Sequence, residues 1–308
     1  MALRLENDFL TVEIVWELGG KIAQITDRRT GRRWLDRHPR LAWQLPGAHE
    51  LTAPDAYVRL GDLGGWDEVC PTIASTIYPL PPFAGRRLPD HGECWYRQPD
   101  ESRYGQAVEH RWRGEVLPFE LRRRCELGPN RPRIVFEYAL RSQADAPLAL
   151  MWSAHPVLRI EPGMRLELPA GTPMNVVSSG SPLGTPGTRF EWPVCAAFDL
   201  TAVMPNAGWA VKLFSDPLDP GTVVLAAPDG EKLRIAWSSR AASIGLRLGL
   251  WLNYGGWSGD GGAPLCNIGI EPCIGMPDAL DQAVAAHTAL LLLLGEERRW
   301  AVEVESLI

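Results

Sequence analysis

Leu10-Thr11-Val12-Glu13-Ile14, Gly19-Gly20, Lys21-Ile22-Ala23-Gln24-Ile25 and Thr30-Gly31 follow one another near the start of the chain. Apolar and polar residues alternate in both runs, the period of a strand with one face buried, and the glycines between and after them supply turns. The same pattern recurs at Ile134–Leu140, Met164–Leu168, Trp209–Phe214, Val223–Ala226, Leu233–Trp237 and Ile244–Leu252. It closes with Thr288–Leu294 and Trp300–Val304. Helical periodicity is confined to about two turns at Asp278–Ala286. The 30 glycines and 27 prolines suit a loop-rich β protein. Many short strands with turn signals between them predict an all-β fold, a large antiparallel β-sandwich, in one domain spanning residues 1–308.

Composition narrows the function. Of 308 residues, 45% are hydrophobic and 22% charged, as in an ordinary globular protein. The net charge of −6 argues against a nucleic-acid partner, which would need a basic field. The opening residues up to Asp8 carry acids where a secretory leader would be apolar. The most apolar stretch, Ala283–Leu294, is shorter than a bilayer span of about 20 residues. The six scattered cysteines form no C-x-x-C pair and read as buried thiols of a reducing compartment. The expectation is a cytoplasmic protein without a membrane partner; oligomeric state is not readable.

Thirteen tryptophans are an excess, and Trp suits stacking on the apolar face of a sugar ring as well as filling a core. Trp66, Trp95 and Trp257, beside glycines and polar residues, are the candidates for a ligand surface. Titratable groups also stand inside apolar sequence, where burial costs free energy unless they are paired or used. His155 in Met151-Trp152-Ser153-Ala154-His155-Pro156-Val157 and Glu271 in Ile268-Gly269-Ile270-Glu271-Pro272 are the sharpest cases. Each reads either as an acid–base group or as a satisfied core residue. Leu88–Trp95, with Asp90, His91 and Glu93, and Gly64–Ile73, with Asp67 and Glu68, are further polar segments.

His91 and Glu93, two apart on one face of a strand, could join His155 around a metal ion, but the spacing is unspecific, so no metal or other cofactor is expected. No G-x-S-x-G elbow or phosphate loop is present. The Arg122-Arg123-Arg124 run reads as a solvated strand face.

Taken in order, these segments resemble the aldose 1-epimerase (galactose mutarotase-like) family. The opening strand pair with Gly-Gly-Lys-Ile, the His91 segment, Ser153-Ala154-His155-Pro156, Gly269-Ile270-Glu271-Pro272 with Met276-Pro277-Asp278, and the final strands are similar to its landmarks. The family's Asn-Arg pair has no match, Gly64–Thr72 standing in its place, and Val157 replaces an aromatic.

The resemblance implies a galactose mutarotase-like sandwich and a small-molecule carbohydrate partner. It implies Glu271 as base toward the anomeric hydroxyl, His155 as acid toward the ring oxygen, and His91 as a group that positions or stabilises that oxygen. From composition, and not from the resemblance, Trp66, Trp95 or Trp257 are expected to stack on the ring, and Asp67, Glu68 or Asn253 to bind its hydroxyls. A non-catalytic carbohydrate-binding protein and another sugar isomerase or lyase remain open beside the mutarotase reading.

Overall fold

A computed structural model describes residues 2–37, 50–61, 63–178, 180–240, 244–259 and 262–308. Two large sheets dominate, of ten and eight strands. The ten-stranded sheet runs Leu3–Glu6, Leu10–Val15, Lys21–Asp27, Trp66–Val69, Trp152–Arg159, Cys266–Ile274, Leu246–Tyr254, Trp209–Ser215, Pro173–Val176 and Arg189–Glu191. Every neighbouring pair within it is antiparallel. The eight-stranded sheet runs Arg165–Glu167, Gly221–Ala226, Lys232–Ser239, Glu297–Leu307, Arg133–Ser142, Phe119–Leu127, Ala107–Arg113 and Asp100–Tyr104.

The first strand of the opening motif forms as its alternation dictates, whereas Lys21–Asp27 departs from it: Ile22 and Ile25, three apart, are both buried, because the pairing passes from Glu13↔Gln24 to Ile14↔Ile22 and skips Ala23. Leu10, Val12 and Ile14 are buried, and Gly19 and Gly20 both take positive φ to make the turn before Lys21. The helix expected at Asp278–Ala286 is Leu280–Ala285, burying Leu280 and Ala283. The closing strand expected over Thr288–Leu294 is shorter, Leu290–Leu292, because Leu293 and Leu294 stand exposed beyond its pairing with Leu148–Leu150. No helix among the described residues is long and apolar enough to cross a membrane.

The core lies between the two sheets. Trp66 packs on Phe136 with ring centroids 4.5 Å apart, and Trp152 packs on Trp300 at 4.7 Å. Within this apolar layer sits a charged cluster. Glu68, fully buried, accepts hydrogen bonds from Arg123 Nη1 at 3.0 Å, Tyr138 Oη at 2.9 Å and Trp152 Nε1 at 3.0 Å. Arg123 and Tyr138 come from the opposing sheet, where they are cross-strand partners. Burial pushes the Glu68 carboxyl up, against the pull of Arg123.

This overturns three readings of the sequence. Trp66 and Glu68 occupy alternate positions of one strand and face the core, so neither meets a ligand. The arginine run is a strand, but only Arg122 and Arg124 look outward, paired with Glu297 and Glu126; Arg123 looks inward. The cysteines, by contrast, are as expected: all six are free thiols, and five of them are buried.

Candidate active site

The other face of the ten-stranded sheet carries the remaining polar residues, and alternation puts them there. Asp67, between Trp66 and Glu68, points away from the core. It lies directly opposite His155 on the next strand. The register of that strand with Cys266–Ile274, set by Ser153↔Cys273 and Val157↔Gly269, places His155 opposite Glu271. Glu271 in turn faces Gly249. Lys21 closes the row at one end through an ion pair with Asp67, Nζ to Oδ2 2.7 Å. Lys212 reaches in from the strand beyond Gly249 and donates from Nζ to Glu271 Oε2.

His155, Glu271 and Lys212 of this row line a cavity of about 240 Å3. His91, His155, Lys212, Glu271 and Asp278 bring the charged and titratable atoms; Ile73, Val157, Leu265 and the indoles of Trp251 and Trp257 form apolar walls. The two indoles stand edge to face, centroids 5.8 Å apart. A cavity with apolar and aromatic sides and a few convergent polar groups is the usual form of a small-ligand site.

Glu271 is itself buried, and its two oxygens differ. Oε2 accepts from Lys212, whereas Oε1 has no hydrogen-bond partner and lies 3.7 Å from His155 Nε2. Room for that carboxylate comes from glycine. A Cβ on Gly269 would lie 2.6 Å from Oε1 and 3.1 Å from Trp251 Cβ, while one on Gly249 would lie 3.3 Å from Oε2. Burial raises the cost of a charge on His155, and His91, Lys212 and Lys21 nearby add to it, so its imidazolium is held well below the ordinary histidine range. His155 Nδ1 is likewise without a partner. For Lys212, burial pulls the ammonium down, but the Glu271 and Asp278 carboxylates outweigh it and raise it above the usual lysine range.

His91 comes from a turn. Its backbone is left-handed, φ +57°, and its Nδ1 lies 2.9 Å from Asp90 Oδ1. The ring stacks on Tyr57, centroids 3.9 Å apart, and stands edge-on to His155 at 5.1 Å. Tyr57 donates from Oη to Asp67 Oδ2 at 2.8 Å, so one phenol ties His91 to the Asp67–Lys21 pair.

The sequence thus placed His91, His155, Glu271 and Trp257 where the structure brings them together at one cavity. It placed others wrongly. Asp67 is 2% exposed and spent on Lys21 and Tyr57, a support beneath the cavity and not a hydroxyl binder. Asn253 is fully buried and clamps the Trp257 turn, donating to Trp257 O at 3.0 Å and accepting from Trp257 N at 3.2 Å. Trp95 packs behind Tyr57 and donates from Nε1 to Asp90 O, outside the cavity lining. Glu93 does not share a strand face with His91; it turns away to accept from the backbone N–H groups of Glu115, Val116 and Leu117 and from Arg97. Tyr57, Lys212, Trp251 and Asp278 were missed as site residues. For Lys212 a signal existed, since a lysine inside Trp209–Phe214 is a charge in an apolar run.

The sequence matches no protein-family model, and no curated protein matches it at a significant level. Solved structures do match, across nearly the whole chain. The fold is that of the galactose mutarotase-like β-sandwich, as the sequence resemblance implied. The chain is similar to a galactose mutarotase-like protein from Lactobacillus casei, with a TM-score of 0.68, 15% identity and full coverage of both chains. It is similar to a galactose mutarotase related enzyme from Lactobacillus acidophilus at TM-score 0.65 and 14% identity, covering 100% of this chain and 98% of that one. It is also similar to the Slr1438 protein of Synechocystis sp. PCC 6803, at TM-score 0.70 and 16% identity, covering 99% and 95%.

Proposed function

We propose that this protein is an aldose 1-epimerase-type isomerase that interconverts the α and β anomers of a sugar or sugar derivative held in the cavity. The observation that carries the reading is the bare Oε1 of buried Glu271, held beside His155 Nε2 on the cavity floor. Anomer exchange needs a base at the anomeric hydroxyl and an acid at the ring oxygen, and two positioned side chains suffice.

Glu271 Oε1 takes the proton from O1. The C1–O5 bond breaks as the C1=O1 double bond forms, and O5 takes a proton from the His155 imidazolium. Rotation about C1–C2 turns the other face of the aldehyde toward O5. Ring closure then reverses both proton transfers. A histidine whose imidazolium is disfavoured is a strong donor but is rarely charged at neutral pH, so turnover should rise toward mildly acidic pH. His91, fixed by Asp90 and Tyr57, sits edge-on to His155 where it can hold the ring oxygen. Trp251 and Trp257 offer faces for the apolar side of the ring.

The test follows optical rotation of freshly dissolved α-anomers across hexoses, pentoses and deoxy sugars, comparing wild type with Glu271→Gln. Acceleration that disappears in the variant supports the reading. Binding seen by tryptophan fluorescence without acceleration for any sugar would replace it with a recognition protein.

A further inference from the structure

Of the two cations in the row, Lys21 is engaged by Asp67, whereas Lys212 is spent on the proposed base itself. We infer that Lys212 is a positioning residue for Glu271, occupying Oε2 so that Oε1 alone is presented to the anomeric proton. The inference rests on the proposed function for its chemistry, but its geometry stands independently.

A carboxylate on a β-strand can rotate about its last bond and offer either oxygen. Here the ammonium donates to Oε2, Gly249 leaves that oxygen just enough space, and Gly269 leaves room for Oε1 to stay bare. The pair is deeply buried, with side-chain exposures of 8% for Lys212 and 1% for Glu271, so water screens it little. Lys212 has its own anchor: its backbone N–H donates to Ser178 Oγ at 2.7 Å, and its Nζ lies 5.3 Å from the centre of the Phe214 ring. The ammonium therefore fixes which oxygen reacts.

Other charged and titratable groups face this pair. His155 comes from the neighbouring strand, with His91 and Lys21 behind it. Asp278 comes from the turn after the Glu271 strand, Cys273 from that strand, and Arg247 from the strand beside it. Of the cations, Lys212 alone is bonded to Glu271 among the described residues.

The experiment compares Lys212→Gln, Lys212→Arg and Lys212→Gln in the Glu271→Gln background, using the sugar that wild type accelerates most. A positioning role predicts that Lys212→Gln lowers kcat at least tenfold with KM within about twofold. Lys212→Arg, which returns a cation to Oε2, should restore part of the lost kcat. In the Glu271→Gln background the lysine substitution should add nothing further. Equal loss in both backgrounds, or loss confined to KM, would overturn the inference.

Should wild type accelerate no sugar, the proposed function fails and the positioning claim is read by carbon NMR of δ-13C-labelled glutamate. The Glu271 signal, assigned by its loss in Glu271→Gln, should then move at one fixed neutral pH in Lys212→Gln and return part of the way in Lys212→Arg. An unmoved signal would overturn the claim without reference to activity. If Lys212→Gln does not fold, Lys212→Met serves in both measurements.

Discussion

Glu271 Oε1 and His155 Nε2 face each other at 3.7 Å from opposed positions of adjacent strands, and Oε1 makes no hydrogen bond. A buried carboxylate oxygen without a donor is costly in a core and useful in a site where a substrate hydroxyl supplies the missing donor. Glu271→Gln and His155→Gln should each lower the anomerisation rate by about 10²–10⁴-fold while the far-UV circular dichroism stays that of wild type. Polarimetry at saturating sugar measures it, and full activity in either variant would remove that residue from the mechanism.

Space at the carboxylate is the second prediction. Gly269→Ala drives a methyl into Oε1, with Trp251 on its other side, whereas Gly249→Ala presses only lightly on Oε2. A displacement of the base by about 1 Å costs about 10²-fold in rate. Gly269→Ala should therefore approach that loss and Gly249→Ala should keep most activity. The reverse order would show that Oε1 is not the reacting oxygen.

Glu68 is expected to behave as a core residue. Its loss leaves Arg123 charged and fully buried between the sheets. Glu68→Gln should destabilise the protein by about 3–5 kcal/mol in denaturant titration, with sugar affinity in the folded fraction unchanged. A weakened affinity at wild-type stability would return Glu68 to the ligand site.

Stability should fall on the acid side in a defined window. His155 and His110 both have imidazolium forms held well below the usual histidine range, in each case first by burial; His91 adds to it at His155, and Arg123 at His110. In the unfolded chain both take up protons near pH 6.5, whereas in the native state they do so only far lower. Below about pH 6.5 the unfolded state therefore binds more protons, and stability drops by up to about 1.4 kcal/mol per pH unit for each histidine. Above that pH these groups contribute no slope. Unfolding midpoints from pH 8 to 5 would show it, and His155→Gln should flatten the decline.

Ligand signals should come from the cavity wall. Trp251→Phe or Trp257→Phe should reduce the fluorescence change on sugar binding, because both indoles line the cavity. Trp95→Phe should leave it largely intact, since that indole packs behind Tyr57. A signal that survives loss of both wall indoles would place the ligand elsewhere.

The strands were legible because a two-residue period survives in sequence wherever one face is buried. That period also sorts faces, but not which face meets a ligand. Trp66, Asp67 and Glu68 looked alike as a polar, aromatic cluster, and only the pairing of that strand with the His155 strand sends Asp67 one way and Glu68 the other. His155 and Glu271 stood out because apolar flanks make a titratable group conspicuous. Tyr57 did not, because its short helix, Ala56–Leu60, has no periodic pattern. Asn253 looked like a ligand contact since a buried amide and a clamped turn carry the same sequence signature.

Lys21, Asp67, His155 and Glu271 each stand on a different strand, neighbours in the sheet but far apart along the chain. No local segment can hold even two members of the row together. Loop closures of this length come late and slowly in folding, when the sheet is nearly complete. Turnover is thus a reporter of finished assembly: partly folded chains, fragments and register-slipped species should be silent, and recovery of activity after dilution from denaturant should lag the recovery of β signal.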